Sequence, residues 1–179
     1  DVALGNVPFG DFKLTDRRYD KNNFLIHDYF FAKTLDKVRP NGVIAFITSK
    51  GTMDKQNDKI RKYICQRAEL IGSIRLPNNT FKANAGTIVT SDIIFLKKRD
   101  KITDIEDEWV HLDKNQDGIE MNSYFVKHPE MILGRMEMTS GRFGPESTCS
   151  PIYSETLETQ LDNAIESINA EIDNIQIDE

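Results

Sequence analysis

The stretch "VIAFITS", residues 43–49, is a continuous run of β-branched, aromatic and small apolar residues of strand length. A run without polar alternation is typical of a strand covered on both faces, as in a sheet that is flanked by helices. The turn-forming stretch "RPNG" (39–42) precedes it. The stretch therefore predicts an inner strand of an α/β sheet.

The segments on either side of this strand extend the same pattern. Residues 1–6, "DVALGN", predict a short buried strand, and residues 24–38 carry apolar side chains around most of a helical circumference, which predicts a largely buried helix. Downstream, the pattern predicts a second helix and two further strands at 58–68, 70–76 and 88–98. This order predicts a mostly parallel sheet with helices on its faces, closed by a hairpin pair.

Beyond residue 100 the periodicity is weaker. "WVHL" (109–112) and "SYFV" (123–126) are candidate short strands, and "SGRFGPESTCSP" (140–151) has the composition of a loop or linker. We therefore predict an α/β domain over 1–100, an irregular extension over 101–153 and a helix over 154–179.

The predicted last helix has a single apolar stripe on an acidic background. Its apolar residues recur at spacings of three and four: Leu157, Leu161, Ile165, Ile168, Ile172 and Ile175. The stripe fits a helix docked on its own domain, and it also fits one that faces a partner.

The distribution of charge along the chain does not exclude a polyanionic partner such as nucleic acid. The net charge is −6, but eight of the 29 acidic residues lie in 154–179, which has no Lys or Arg. The remainder sets all 23 basic residues against 21 acidic ones, so its charge is slightly positive. No apolar run has the length of a membrane span, no secretory leader opens the chain, and Cys65 and Cys149 suggest no disulfide framework. We expect a soluble protein of the reducing cytoplasm, with no membrane contact.

The loop "NVPF", residues 6–9, is the strongest candidate for chemistry because it directly follows the first strand, where ligands bind in α/β sheets. The Asn6 oxygen and a carbonyl next to proline can accept both N–H groups of an exocyclic amino group, which directs the nitrogen lone pair toward a methyl donor. Pro8 would stiffen the loop, and Phe9 would stack on a base that has left the duplex. The alternative is a strand-ending turn with a buried aromatic residue.

"NVPF" resembles the Asn/Asp-Pro-Pro-Tyr/Phe motif of amino methyltransferases, and its flanks resemble gamma-class adenine-specific DNA methyltransferases. The likeness extends over about 100 residues, through "RPNGVIAFITSKGTMD" and "LIGSIRLPNNTFKANAGTIVTSDIIFLKK". "NSYFVKHPEMILGRM" is similar to a segment that follows the methylase in large methylase-helicase fusions of mobile elements. The resemblance implies the C-terminal part of a Rossmann-like sheet, S-adenosylmethionine as cofactor, and a flipped adenine of duplex DNA as substrate. It makes Asn6, Pro8 and Phe9 catalytic, with Asn6 also touching the cofactor.

Two features depart from the family pattern. Val7 replaces the first proline, although its backbone carbonyl stays available to the substrate. The glycine-rich cofactor loop, expected upstream of the motif strand, is not found. We therefore predict little or no activity for this chain by itself.

Other candidates are weaker. Lys13, Arg17, Arg18 and Lys21 follow the motif and fit either phosphate contacts or a solvated loop, and Lys50 follows the strand 43–49 at the same predicted edge. "DKNQDG" (113–118) imitates a calcium loop, but its twelfth position is Tyr124 and a tight turn fits better. The three histidines have no metal-ligand spacing, and we predict no metal site.

The function predicted from these features is N6-adenine methylation of DNA in restriction-modification or mobile-element defence, with a helicase region of the same polypeptide as a further partner. Two alternatives stay open. One is methylation of an RNA base or of a protein glutamine amide. The other is an inactive domain that binds DNA or a helicase.

Overall fold

The computed structural model describes residues 1–8, 10–86, 88–141 and 143–168. It contains a mixed four-stranded sheet whose strands lie in the spatial order β1-β2-β4-β3. These strands are β1 (Val2–Asn6), β2 (Val43–Ser49), β3 (Ala68–Leu76) and β4 (Ser91–Lys98). The predicted α/β class and the closing antiparallel hairpin β3–β4 are confirmed.

The position of β4 makes the sheet mixed. β1 pairs with β2 in parallel, whereas β4 lies between β2 and β3 and runs antiparallel to both. β1, β2 and β3 therefore run in one direction. Of the three strand pairings in this sheet, β1–β2 is parallel and the two pairings made by β4 are antiparallel. The carboxyl ends of β1, β2 and β3 meet at one edge, which we call the carboxyl edge, and the loops at 7–25, 50–58 and 77–90 start or end there.

The inner strand β2 is buried on one face and half-buried on the other. Ile44, Phe46 and Thr48 are at most 5% exposed, and the residues between them are partly covered. The Phe46 ring packs edge-on against Phe31 of helix α1 (Ile26–Lys37), with 5.3 Å between ring centroids. The prediction of complete cover on both faces was therefore too strong.

Three further helices border the sheet. Helix α3 (Lys59–Cys65) and α1 agree with the predicted helices, with shorter ends. The segment between β2 and α3 contains one helical turn, α2 (Gly51–Asp54), and Lys50 before it already has helical backbone angles. Another turn, α4 (Lys82–Ala85), lies between β3 and β4.

The extension is more regular than its sequence predicted. It contains two hairpins, β5–β6 (Leu112–Lys114 and Glu120–Asn122) and β7–β8 (Gly134–Gly141 and Gly144–Pro151). Residues 140–151 are therefore not a linker, because nearly all of them belong to the second hairpin.

Both strand predictions between residues 101 and 130 need correction. "SYFV" is helix α5 (Ser123–Lys127), because the Asn122 side chain caps it by accepting a bond from the Tyr124 amide. "WVHL" begins in a 3₁₀ turn, Glu108–Val110, and enters β5 only at its last residue.

The core of the sheet continues into the extension. Trp109, Met121, Phe125 and Met131 are at most 7% exposed and belong to the same apolar cluster as the sheet residues. The proposed boundary at residue 100 stays a prediction.

The described part of the last helix, α6 (Leu157–Glu166), rests on the same domain. Thr156 caps it, Ala164 is 2% exposed, and Ile168 beyond its end packs toward Gly72 of β3. Ile172 and Ile175 of the predicted stripe lie outside the described residues. No described helix is both long and apolar enough to cross a membrane.

Candidate active site

The motif residues lie at the end of β1, on the carboxyl edge. The pairing of β1 with β2 ends at Asn6 and Ile47, and the Val7 amide donates one more bond to the Ile47 carbonyl at 2.9 Å. Val7 is 3% exposed, while Asn6 and Pro8 on either side of it are exposed. A proline at position 7 would lack this N–H. Val7 therefore anchors the loop by its backbone and its buried side chain and leaves Asn6 accessible. Phe9 lies outside the described residues.

Local hydrogen bonds fold the loop after the motif. The Asp16 amide donates to the Asp20 carboxylate at 2.8 Å, and the Ile26 amide at the start of α1 donates to the Phe12 carbonyl at 2.9 Å. The buried Tyr19 side chain donates a short hydrogen bond to Asp36 of α1. Burial first, and then Asp36, raises the pKa of Tyr19, so the phenol stays protonated and serves as a structural link.

The predicted cationic residues have different partners. Lys13 donates to the Asn23 side-chain oxygen at 2.6 Å, and Arg18 forms an ion pair with Asp36 at 3.1 Å. Arg17 is exposed. These contacts are compatible with a surface that meets phosphates, and that role stays a prediction.

A second polar group joins the start of α1 to the segment after α2 and was missed from the sequence. Lys55, just after α2, contacts both carboxylate oxygens of Asp28, at 2.6 and 2.5 Å. His27 Nε2 lies 3.5 Å from the same carboxylate, and burial lowers the pKa of this histidine, with Asp28 and Asp11 opposing and Lys55 adding to the effect. Asp28 stands in the first turn of a helix that was predicted to be largely buried, which was the available signal. The group fixes α1 to the segment after α2.

A buried ion cluster links the carboxyl edge to the extension. Arg75 of β3 binds Asp92 of β4 with two bonds of 2.8 and 2.9 Å, and its third nitrogen lies 2.8 Å from Asp54 at the end of α2. Asp54 also accepts the Asn122 amide at 3.0 Å, and the guanidinium carbon lies 4.2 Å from the centre of the Phe125 ring. Burial lowers the pKa of Arg75, but the two carboxylates outweigh it and raise the pKa above its usual range. The cluster is structural, because Arg75 and Asp92 are inaccessible to solvent.

The hairpin β7–β8 joins the same edge, which the sequence did not predict. Asn78, after β3, donates its amide to the Cys149 carbonyl at 2.7 Å and its side chain to Thr148 at 2.9 Å. Lys50, after β2, donates to the Ser147 hydroxyl at 3.1 Å. The predicted position of Lys50 at the sheet edge therefore agrees with the structure, and its partner comes from the extension.

The calcium-like segment forms the turn of the hairpin β5–β6. The Asn115 side chain accepts the amides of Asp117 and Ile119, and Gly118 adopts a left-handed conformation with φ of 75°. Within the described ranges, no three His, Cys, Asp or Glu residues form a group able to hold a metal ion.

Asn6 is exposed at the end of β1, and its contacts with a methyl donor and a target amino group stay predictions. β1 is an edge strand of the described sheet. Two of its apolar residues are exposed, Val2 by 66% and Leu4 by 75%.

The chain is similar to one curated phage protein. "Defense against restriction protein B" of Escherichia phage P1 is 28% identical over 171 residues, a match that covers 93% of this chain and 7% of the phage protein. The chain thus spans a small part of that relative.

Two solved structures also match. A Listeria monocytogenes protein assigned as a class I S-adenosylmethionine-dependent methyltransferase is 21% identical with a TM-score of 0.43, over 59% of this chain and 33% of that one. A modification subunit assigned to a type I restriction enzyme of Vibrio vulnificus YJ016 is 17% identical with a TM-score of 0.42, over 89% and 39%.

The family match agrees with the motif at the end of β1. The model of the N-6 DNA Methylase family matches residues 1–131, from the motif strand through helix α5. Membership implies S-adenosylmethionine as the methyl donor. Because the match covers well over half of the chain, the chain belongs to the N-6 DNA Methylase family.

Proposed function

We propose that this chain supplies the target-binding side of a DNA methyltransferase that modifies the N6 amino group of adenine. The observation that carries the proposal is the geometry of the motif: Asn6 is exposed at the end of β1, while the bond from Val7 to Ile47 fixes the loop beside it. Family membership supports the DNA substrate. The choice of adenine rests on the motif residues.

The chemistry needs no covalent intermediate with the protein. S-adenosylmethionine supplies a methyl group that its sulfonium already activates. The Asn6 side-chain oxygen and the carbonyl of Val7 accept the two N–H groups of adenine N6, so that the nitrogen lone pair points away from the ring plane. Pro8 limits the freedom of the loop, and Phe9 stacks on the base after it has left the duplex.

The remaining contacts concern the substrate backbone and the wider polypeptide. Lys13, Arg17, Arg18 and Lys50 contact phosphates near the flipped base. A helicase region of the same polypeptide is a further partner, and restriction-modification or mobile-element defence in the cytoplasm is the setting. The name of the phage relative, which concerns defence against restriction, supports this setting.

Methyl transfer from labelled S-adenosylmethionine to unmodified duplex DNA, followed by nucleoside analysis, tests the proposal on the full-length gene product. N6-methyladenine should form. Asn6→Ala should lower the rate by about 10²- to 10³-fold, the range for removing one such hydrogen-bonding group. Asn163→Ala, which changes an exposed asparagine of α6, should leave the rate unchanged. Residues 1–179 alone should transfer little or nothing, because they contain no glycine-rich cofactor loop.

The same assay separates the alternatives. Methylation of RNA or of a peptide glutamine in preference to DNA would contradict the proposed substrate. DNA binding without transfer by the full-length product would favour the inactive-domain alternative, for which Val7 is the supporting residue.

A further inference from the structure

The hairpin β7–β8 has a buried base and an exposed outer half. At its base, Met136 and Cys149 are 7% and 0% exposed. In the outer half, Met138 is 55% exposed and Phe143, at the tip, is 95% exposed. Each strand has eight residues, so the outer half projects from the domain as an arm.

The arm is directed toward the β1 side of the carboxyl edge. The contacts of β8 change along the strand: Cys149 and Thr148 bond to Asn78 after β3, whereas Ser147 bonds to Lys50 after β2. β2 lies next to β1, which carries the motif. Gly144 is three residues further out, which is about 10 Å of strand. Adjacent strands are about 4.8 Å apart, so a strand that continues along this line is directed from β2 toward β1.

The end of the hairpin carries one large apolar side chain. Gly141 pairs with Gly144, and Gly144 adopts φ of 122°, a conformation that other residues rarely take. Single exposed apolar residues are common on protein surfaces. Here the residue stands at the end of an arm whose base contacts the same sheet edge that carries the motif.

Cations border the arm, whose outer half carries one acidic residue, the exposed Glu146. Lys50 lies under its middle, Arg17 and Lys82 are exposed on neighbouring loops of the carboxyl edge, and the loop 77–90 has no acidic residue. A two-stranded ribbon fits the major groove of DNA. Proteins that distort DNA insert apolar side chains between base steps.

We propose that the β7–β8 hairpin is a DNA-inserting arm: its outer half lies in a groove of the duplex, and Phe143 enters the base stack next to the base that is brought to Asn6. The inserted ring compensates for the stacking that the flipped base loses. This inference rests on the proposed function, because it assumes a duplex substrate.

The test uses this chain and two short duplexes, one intact and one with a single abasic site. An abasic site removes the cost of unstacking a base, so an inserting side chain should favour that duplex. Phe143→Ala should reduce the preference for the abasic duplex about tenfold, in line with the loss of one stacking contact. Binding is measured by fluorescence anisotropy at low and at physiological salt.

A tryptophan reporter tests insertion directly. In Phe143→Trp the introduced indole should be quenched and shielded from acrylamide when the abasic duplex binds. In the matched control, Tyr153→Trp, an 86% exposed aromatic position outside the arm, the indole should stay accessible. Three outcomes would overturn the proposal of a DNA-inserting arm. They are equal acrylamide accessibility of the two indoles, unchanged DNA binding by Phe143→Ala, and no DNA binding by the chain. These outcomes leave the proposed function intact as long as the full-length product forms N6-methyladenine and Asn6→Ala does not.

Discussion

Replacing Arg75 should unfold the junction between the sheet and the extension at a much lower denaturant concentration. Arg75→Met leaves Asp92, which is inaccessible to solvent, without its two bonds of 2.8 and 2.9 Å, and leaves Asp54 without its contact at 2.8 Å. Removing one partner of a buried ion pair typically costs about 3–5 kcal/mol, because the remaining charge is uncompensated. This is a large share of the roughly 5–15 kcal/mol that stabilises a domain.

The measurement is equilibrium urea unfolding followed by far-UV circular dichroism and by Trp109 fluorescence, since Trp109 lies in the extension and is 7% exposed. The double variant Arg75→Met with Asp92→Leu removes both charges of the pair and should lose about 2 kcal/mol less than Arg75→Met alone. Arg75→Lys keeps the charge but loses the two-bond geometry, and it should fall between the wild type and Arg75→Met. A loss below about 1 kcal/mol for Arg75→Met, or additive single losses, would refute the role of the cluster.

Two further predictions concern the motif region and the arm. Burial lowers the pKa of His27 from 6.5 despite the nearby Asp28. The unfolded chain therefore takes up a proton at this histidine at a higher pH than the folded chain does. The free energy of unfolding should be highest above about pH 6.5 and should decrease as the pH falls below that value. His27→Gln should flatten this dependence between about pH 7.5 and about pH 5.5 in urea titrations; an unchanged slope would contradict the assignment. Gly134→Ala would place a methyl group against the Ser150 carbonyl and should cost about 1–3 kcal/mol, whereas Gly51→Ala, whose new methyl meets one side-chain atom at 3.4 Å, should cost less than about 0.5 kcal/mol. Equal losses for the two glycines would argue against the packing at the base of the arm.

The local spacing of apolar residues was sufficient to predict the strands and helices that bury their own apolar residues against the core. The run at 43–49 predicted β2 with its observed bounds, and the helix expected at 24–38 is α1 with slightly shorter ends. The "NVPF" motif could also be read locally, because its residue types and its place after a strand already indicate methyl transfer to an amino group.

Local pattern failed where a distant contact decides the conformation. Residues 140–151 are rich in Gly, Ser and Pro, and β8 forms there because it pairs with β7 and because Cys149 enters the core. Residues 123–126 look like a strand until Asn122 caps them as a helix. β4 takes its place between β2 and β3 through pairings that its own periodicity does not specify.

The sequence by itself determined the family, the α/β class and the motif at the end of β1, because these depend on residues that are close along the chain. The tertiary structure alone decided which distant residues meet: Lys50 with Ser147, and Arg75 with Asp92 and Asp54. These pairs are separated by 17 to 97 positions. The periodicity of the sequence does not predict such contacts. They form because folding buries these polar groups away from water, and each group must then bond to another group of the protein.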